Sequence, residues 1–321
     1  MVSRLGFACS LWLGLFASGC SESSSDPNAS GSGGGGASGA GGVAGSGGAA
    51  GAAPCSEPPS EIPPGASCLL EVKGRNVDAA GAPIAKLSTS VCGPVCFYGE
   101  SDATGAFTVP VGVHLLPKQY ATQPHGRPTR TSFYFALPPN PGPSVDLGDL
   151  LSLDLPPSGP PLVVRSDKAG SPAQTLTSGD LTLDVPTGVQ VKLDVEDIAL
   201  GDTGRMFRAL RVPAGNHAAF VDATLGLSLL WALTPFDATI VDEAQAQPAL
   251  ARLSAENAAA LPAGAAVEWL ALGSYLLSDL STPAVFDVVA TGTVTADGMR
   301  IEMDPGQGVR YLTWLGVRKK P

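Results

Sequence analysis

From residue 68 onward the chain runs in short segments rich in Val, Leu, Thr, Tyr and Phe. Gly, Pro, Asn or Asp interrupts them roughly every 8 to 12 residues, a pattern that predicts an all-β sandwich or barrel. Residues 69–77, 85–92, 96–99, 106–113, 132–137 and 145–155 are the first set of expected strands. Asp78-Ala-Ala-Gly81 and Asp102-Ala-Thr-Gly105 stand between them as turns, with Gly available for the positive φ that tight reversals need. Pro156-Pro-Ser-Gly-Pro-Pro161 reads as a stiff hinge and marks a domain boundary. Beyond it, Val185-Pro-Thr-Gly188, Val212-Pro-Ala-Gly215 and Leu261-Pro-Ala-Gly264 repeat one turn device, at spacings too unequal for a solenoid. Val189-Gln-Val-Lys-Leu-Asp-Val195 alternates apolar and polar positions as a half-buried strand does. Residues 265–272 predict a strand containing Trp269, residues 285–303 a hairpin closed by Asp297-Gly298, and residues 308–317 a closing strand. Residues 241–260, with Ala, Glu and Gln, are expected to be strand and loop with one or two helical turns. The expected fold is all-β: two β-sandwich-like domains, residues 55–157 and 162–321, after a disordered tether.

The pattern ahead of residue 55 is different. Residues 5–16 form an apolar run behind Arg4, too short to span a bilayer as a mature helix and suited to the core of a signal peptide. It closes on Ala17-Ser18-Gly19-Cys20, which resembles the lipobox of bacterial lipoproteins, with Ala17 where that family usually has leucine. The resemblance implies cleavage of residues 1–19 and lipidation of Cys20, with the lipid bilayer as a partner. Several acyl chains, at about 0.8 kcal/mol per buried methylene, anchor stably where one does not. Ser21 stands where an aspartate would imply inner-membrane retention, so the expected location is the outer membrane. Residues 21–54 are mostly Gly, Ser and Ala, too poor in apolar surface to fold. Such a coil spans roughly 30–35 Å, enough to hold a head clear of the lipid headgroups.

Charge narrows the partners. The full chain carries 19 Lys and Arg against 29 Asp and Glu, a net charge of -10, which loss of Arg4 takes to -11. Arg318, Lys319 and Lys320 make the one basic cluster, at the C-terminus, so nucleic acid is excluded as a partner. Besides Cys20, the mature chain has Cys55, Cys68, Cys92 and Cys96, an even set that allows three disulfide pairings in an exported protein. We expect Cys55 with Cys68 and Cys92 with Cys96; the first closes a loop worth roughly 3 kcal/mol in the chain-entropy model. Cys92-Gly-Pro-Val-Cys96 looks like a paired-thiol motif, but its spacing is one residue longer than Cys-x-x-Cys.

Leu70-Glu-Val-Lys-Gly-Arg-Asn-Val-Asp78, Gly81-Ala-Pro-Ile84 and Asp102-Ala-Thr-Gly-Ala-Phe-Thr-Val109 together resemble the carboxypeptidase regulatory-like domain. The resemblance implies a transthyretin-like β-sandwich over residues 68–157, a module that accompanies catalytic domains rather than acting as one. The His-x-x-Glu pair of a zinc carboxypeptidase is missing, since Pro117, Pro128 and Phe220 follow His114, His125 and His217 at that spacing. The repeated Pro-x-Gly turns resemble those of ZU5-like bacterial surface modules.

Other chemistry is weak in the sequence. Gly226-Leu-Ser-Leu-Leu230 lacks the second Gly of a nucleophile elbow, so Ser228 reads as an ordinary strand residue. His114 falls in an apolar strand, and His125 and His217 in loops. Asp194, Glu196, Asp197 and nearby Asp202 offer oxygen ligands suited to Ca²⁺, but read more simply as an exposed acidic edge that discourages strand pairing. Trp231, Trp269 and Trp314, with Tyr275 and Tyr311, suit either core packing or a sugar-stacking face. We therefore expect no enzyme, cofactor or metal. The expected role is a non-enzymatic binding or structural lipoprotein at the cell surface or in the periplasm, facing a cell-surface polysaccharide or a protein. The alternatives are a carbohydrate-binding module, or a hydrolase whose site is scattered along the chain.

Overall fold

The computed structural model describes residues 54–163, 171–214, 221–242, 244, 247–274 and 281–321. The chain is all-β, with 46% of it in strands and 7% helical. The lipobox, Cys20, the Gly/Ser/Ala-rich tether, His217 and Tyr275 lie outside the described residues.

The first seven strands are β1 (Ser67–Val77), β2 (Ser88–Cys92), β3 (Cys96–Glu100), β4 (Ala106–Leu115), β5 (Ala121–Pro124), β6 (Phe135–Ala136) and β7 (Ser144–Leu151). They build two sheets, ordered β4-β1-β7 and β3-β2-β5-β6, whose apolar faces share Val72, Val109 and Val145 with Val91 and Ala121. β1 pairs antiparallel with β4 and parallel with β7. The two expected turns form as asparagine-type turns: Asp78 Oδ1 accepts from the amides of Ala80 and Ala82, and Asp102 Oδ1 from those of Thr104 and Ala106. Gly81 and Gly105 sit at φ 77° and 78°, the left-handed conformation that these turns need.

The second half adds β8 (Gln174–Ser178), β9 (Leu181–Val185), β10 (Val189–Lys192), β11 (Arg208–Arg211), β12 (Leu229–Thr234) and β13 (Ala238–Asp242). After these come β14 (Arg252–Glu256), β15 (Ala266–Leu272), β16 (Phe286–Val294), β17 (Arg300–Met303), β18 (Tyr311–Leu312) and β19 (Leu315–Lys319). Nine strands form one sheet in the order β11-β12-β19-β15-β16-β17-β14-β9-β8, and β10-β13-β18 form a small second sheet. Every pairing in the large sheet is antiparallel. Alternation over an odd number of strands leaves β8 and β11 pointing the same way, so they cannot close the ring as one more antiparallel pair. Side chains span the seam instead. Ser178 Oγ accepts from the Ala209 amide at 3.0 Å, and Asp180 takes the Trp231 indole N–H at 2.8 Å and Arg211 at 3.0 Å. The interior is filled, with the Trp231 and Trp269 rings stacked 6.1 Å apart.

The halves meet along shared apolar surface. All six positions of β12 are buried: Leu229, Trp231 and Leu233 face the interior of the large sheet, while Leu230 and Ala232 join the core of the first half. β15 divides in the same way, with Trp269 on one face and Leu270 and Leu272 on the other. A strand covered on both faces reads as a continuous apolar run, which Leu229-Leu-Trp-Ala-Leu233 is. The Pro156–Pro161 stretch is tied down, with Pro160 and Arg205 carbonyls accepting from the Phe207 and Leu162 amides at 2.9 and 2.8 Å.

Several expected elements are shorter or different. The strand expected over 132–137 is reduced to Phe135–Ala136, because Thr131 and Ser132 are drawn into bonds with residues 152–153 and Gly126. The strand over 308–317 splits into β18 and β19, with the Thr313 hydroxyl donating to the Leu272 carbonyl at the break. Among the described residues of 241–260 there are the end of β13, strand β14 and no helix. The helix that does form is α1 (Val195–Ala199): the alternation that begins at Val189 ends after Lys192, where the Asp194 carboxylate accepts from the Val195 amide as an N-cap. Glu196 and Asp197 in its first turn suit the positive end of the helix.

Trp314 links the halves directly: its indole N–H donates to the Ser132 carbonyl at 2.7 Å, and its ring meets Phe133 edge-on at 6.1 Å. Trp314→Phe strands that carbonyl in the core and is expected to cost about 1–3 kcal/mol, read as a lower urea midpoint with unchanged slope.

Candidate functional site

The residues that carry chemistry converge where the β3-β2-β5-β6 sheet meets α1 and the β12–β13 turn. Register places Tyr98, Ser90 and Gln123 side by side on one face, since Ser90 pairs with Tyr98 across β2–β3 and with Gln123 across β2–β5. The chain then leaves β5 through His125, whose amide donates to the Ser88 carbonyl, and reaches Arg127.

Arg127 is the hub. Its side chain is 3% exposed, and it donates to Asp197 at 2.8 Å, to Asp194 at 3.0 Å and to the Phe236 carbonyl at 3.1 Å. Glu196 lies 2.8 Å from the same guanidinium, and the Phe236 ring centroid lies 5.7 Å from its central carbon. All these partners come from the second half of the chain. Burial works against the charge on Arg127, but the Asp197, Glu196, Asp194 and Asp237 carboxylates outweigh it and hold the guanidinium protonated.

The carboxylates answer to their own surroundings. Burial lifts Asp197 to about 6 against the pull of Arg127. Burial also acts to raise Glu196, but the His125 hydrogen bond and the charges of His125 and Arg127 bring it below the usual carboxylate value. Asp237, fully enclosed and held at φ 64°, takes the Tyr134 hydroxyl proton in a hydrogen bond. Complete burial pushes its carboxyl up to about 7, despite hydrogen bonds from Tyr134 and Ser274.

His125 joins the joint to the sheet. One ring nitrogen, Nε2, is 2.8 Å from Ser90 Oγ and the other, Nδ1, is 2.9 Å from Glu196. The half-exposed Tyr98 ring lies 6.2 Å from the imidazole.

The acidic segment corrects the sequence expectation. Asp194, Glu196 and Asp197 do not form an exposed edge; they are folded onto α1 and turned inward on Arg127, with Asp197 3% exposed. Asp202 is exposed in the following turn. Trp231, Trp269 and Trp314 are wholly buried and Tyr311 nearly so, which removes them from any surface platform. Ser228 is exposed just ahead of β12, and Arg318 pairs with Glu268 at 2.7 Å rather than joining a basic patch. His114 is held by Glu57 at 2.9 Å. The structure contains the Cys55–Cys68 and Cys92–Cys96 disulfides. Sequence reading missed Ser90, Gln123 and Arg127; the one local signal was Asp194 followed by Glu196 and Asp197, an N-cap with an acidic first turn.

Arg127→Met leaves three carboxylates facing one another without a counter-charge, and we expect a loss of about 3–5 kcal/mol in urea unfolding. The Asp237 carboxyl rises from 3.8 in the unfolded chain to about 7 in the fold, so between those values the folded protein holds the extra proton. Its contribution is fully present below 3.8 and is lost as pH rises through 7. Stability should therefore fall from about pH 4 to about pH 7, and Asp237→Asn should flatten that fall in melts across the range.

No protein-family model matches the chain, and no curated protein is significantly similar to it in sequence.

Proposed function

We propose that the chain is an exported lipoprotein, cut before Cys20, lipidated there and tethered to the outer membrane, whose folded head serves a binding or structural role at the cell surface or in the periplasm. The observation that carries this reading is the apolar run ending in Ala17-Ser18-Gly19-Cys20, followed by the Gly/Ser/Ala-rich tether. Two disulfides fit an oxidising compartment outside the cytoplasm. Among the described residues, no helix is long and apolar enough to cross a membrane.

The point where the tether enters the head supports the same reading. Cys55 is bonded to Cys68 on β1, and its amide donates to the Gly112 carbonyl on β4 at 2.7 Å. Two residues on, Glu57 accepts from the His114 amide at 2.8 Å and meets its ring, which lowers the Glu57 carboxyl. The chain is thus clamped to the head as soon as it leaves the tether, as a point of attachment needs. The first half carries the motifs that resemble carboxypeptidase regulatory-like modules, which accompany other proteins' activities, and a polysaccharide or protein of the cell surface is the proposed partner. The net negative charge leaves nucleic acid out.

Membrane fractionation with intact mass of wild type and Cys20→Ala tests the anchor. We expect a diacyl or triacyl mass increment on Cys20 and release of the variant to the soluble fraction. A wild type that is soluble, with residue 20 unmodified, contradicts the proposal.

A further inference from the structure

We propose that Ser90, His125 and Glu196 form a covered acyl-transfer site that accepts small, uncharged carboxylic esters, with Gln123 as the donor to the developing oxyanion. This goes beyond the binding or structural role and gives the tethered head a chemistry of its own.

The geometry is that of an activated serine. With its proton on Nδ1, the imidazole donates to Glu196 at 2.9 Å, and Nε2 is left to accept from the Ser90 hydroxyl at 2.8 Å. This order of nucleophile, base and orienting carboxylate is the one a nucleophilic hydroxyl needs, and such arrangements are recognised by geometry rather than by spacing in the chain. Arg127, 2.8 Å from Glu196, fixes the carboxylate in place, so Arg127 and Glu196 are positioning residues.

A second observation points to a ligand. Gln123 stands opposite Ser90 across β2–β5, is 2% exposed, and its Nε2 has no hydrogen-bond partner among the described residues. A buried amide donor left unpaired beside a hydroxyl costs about 1–3 kcal/mol unless something accepts from it. A tetrahedral oxyanion on carbon attached to Ser90 Oγ is such an acceptor.

The step balances within the site. His125 Nε2 takes the Ser90 proton as Oγ bonds to the ester carbonyl carbon; the intermediate collapses, the carbon–alkoxide bond breaks, and His125 returns the proton to the leaving alcohol. Water, deprotonated by the same nitrogen, then cleaves the acyl-serine, releasing the acid and restoring Ser90.

Burial and charge set the substrate class. Ser90 has no exposed surface, so the acyl group must be small. Asp194, Glu196 and Asp197 outnumber the single Arg127 they surround and leave the surroundings negative, which disfavours anionic esters.

Intact mass and peptide mapping of the mature wild-type protein after a fluorophosphonate probe decide the matter. The proposal expects one phosphonyl adduct, on Ser90. It also expects hydrolysis of p-nitrophenyl acetate that falls at least about 100-fold in Ser90→Ala and His125→Gln, and about 100-fold in Gln123→Leu. Glu196→Gln should shift the pH–rate profile, and a p-nitrophenyl ester bearing a free carboxylate should react more slowly than the acetate. A folded wild type with no adduct on Ser90, or acetate hydrolysis unchanged in a folded Ser90→Ala, overturns the site. Equal rates for the neutral and anionic esters overturn the substrate class.

Discussion

Arg127 is a buried cation that the first half of the chain cannot satisfy by itself. A guanidinium taken out of water is tolerated only when carboxylates and carbonyls replace its hydration, and all of those replacements come from α1 and the β12–β13 turn. The constraint runs both ways. Asp194, Glu196 and Asp197 would repel one another on a five-residue helix without that cation among them, so the helix and the loop that carries Arg127 are set by the same contact. With the joint fixed, Trp314 can reach Ser132, and the even-numbered faces of β12 and β15 can become core rather than surface.

That arrangement also decides where polar side chains can gather. The large sheet is nearly a ring, but its interior is packed with side chains, including the stacked Trp231 and Trp269, so it encloses core and not a lumen. The Cys55–Cys68 disulfide holds residue 55 against β1, and the Cys55 amide donates to the Gly112 carbonyl on β4. Polar groups with unmet or shared demands gather at the joint instead, where His125 meets both Ser90 and Glu196 and Gln123 stands opposite Ser90 across β2–β5. Functional residues placed at a contact between two rigid elements hold their geometry better than residues on a free loop.

How much of this was legible in the sequence follows from which interactions are local. The turns at Asp78 and Asp102 were readable because each aspartate bonds amides two and four residues on. The hairpin of β16 and β17 and the strand around Trp269 were readable from their own residues. The alternation from Val189 misled, since Asp194 outweighed it by capping a helix, and the exposed Val195 shows that the pattern no longer reported burial there. The joint was illegible because its partners are 35 to 109 residues apart and no spacing rule connects them. The continuous apolar run of β12 was the sequence's record of the shared core, but read alone it does not say what covers its second face.

Differential scanning calorimetry tests most directly whether the Arg127 joint and the shared core make residues 54–321 one cooperative unit. The account predicts a single transition whose calorimetric and van't Hoff enthalpies agree. Two separable transitions, one for the residues before Pro156 and one for those after Pro161, would contradict it.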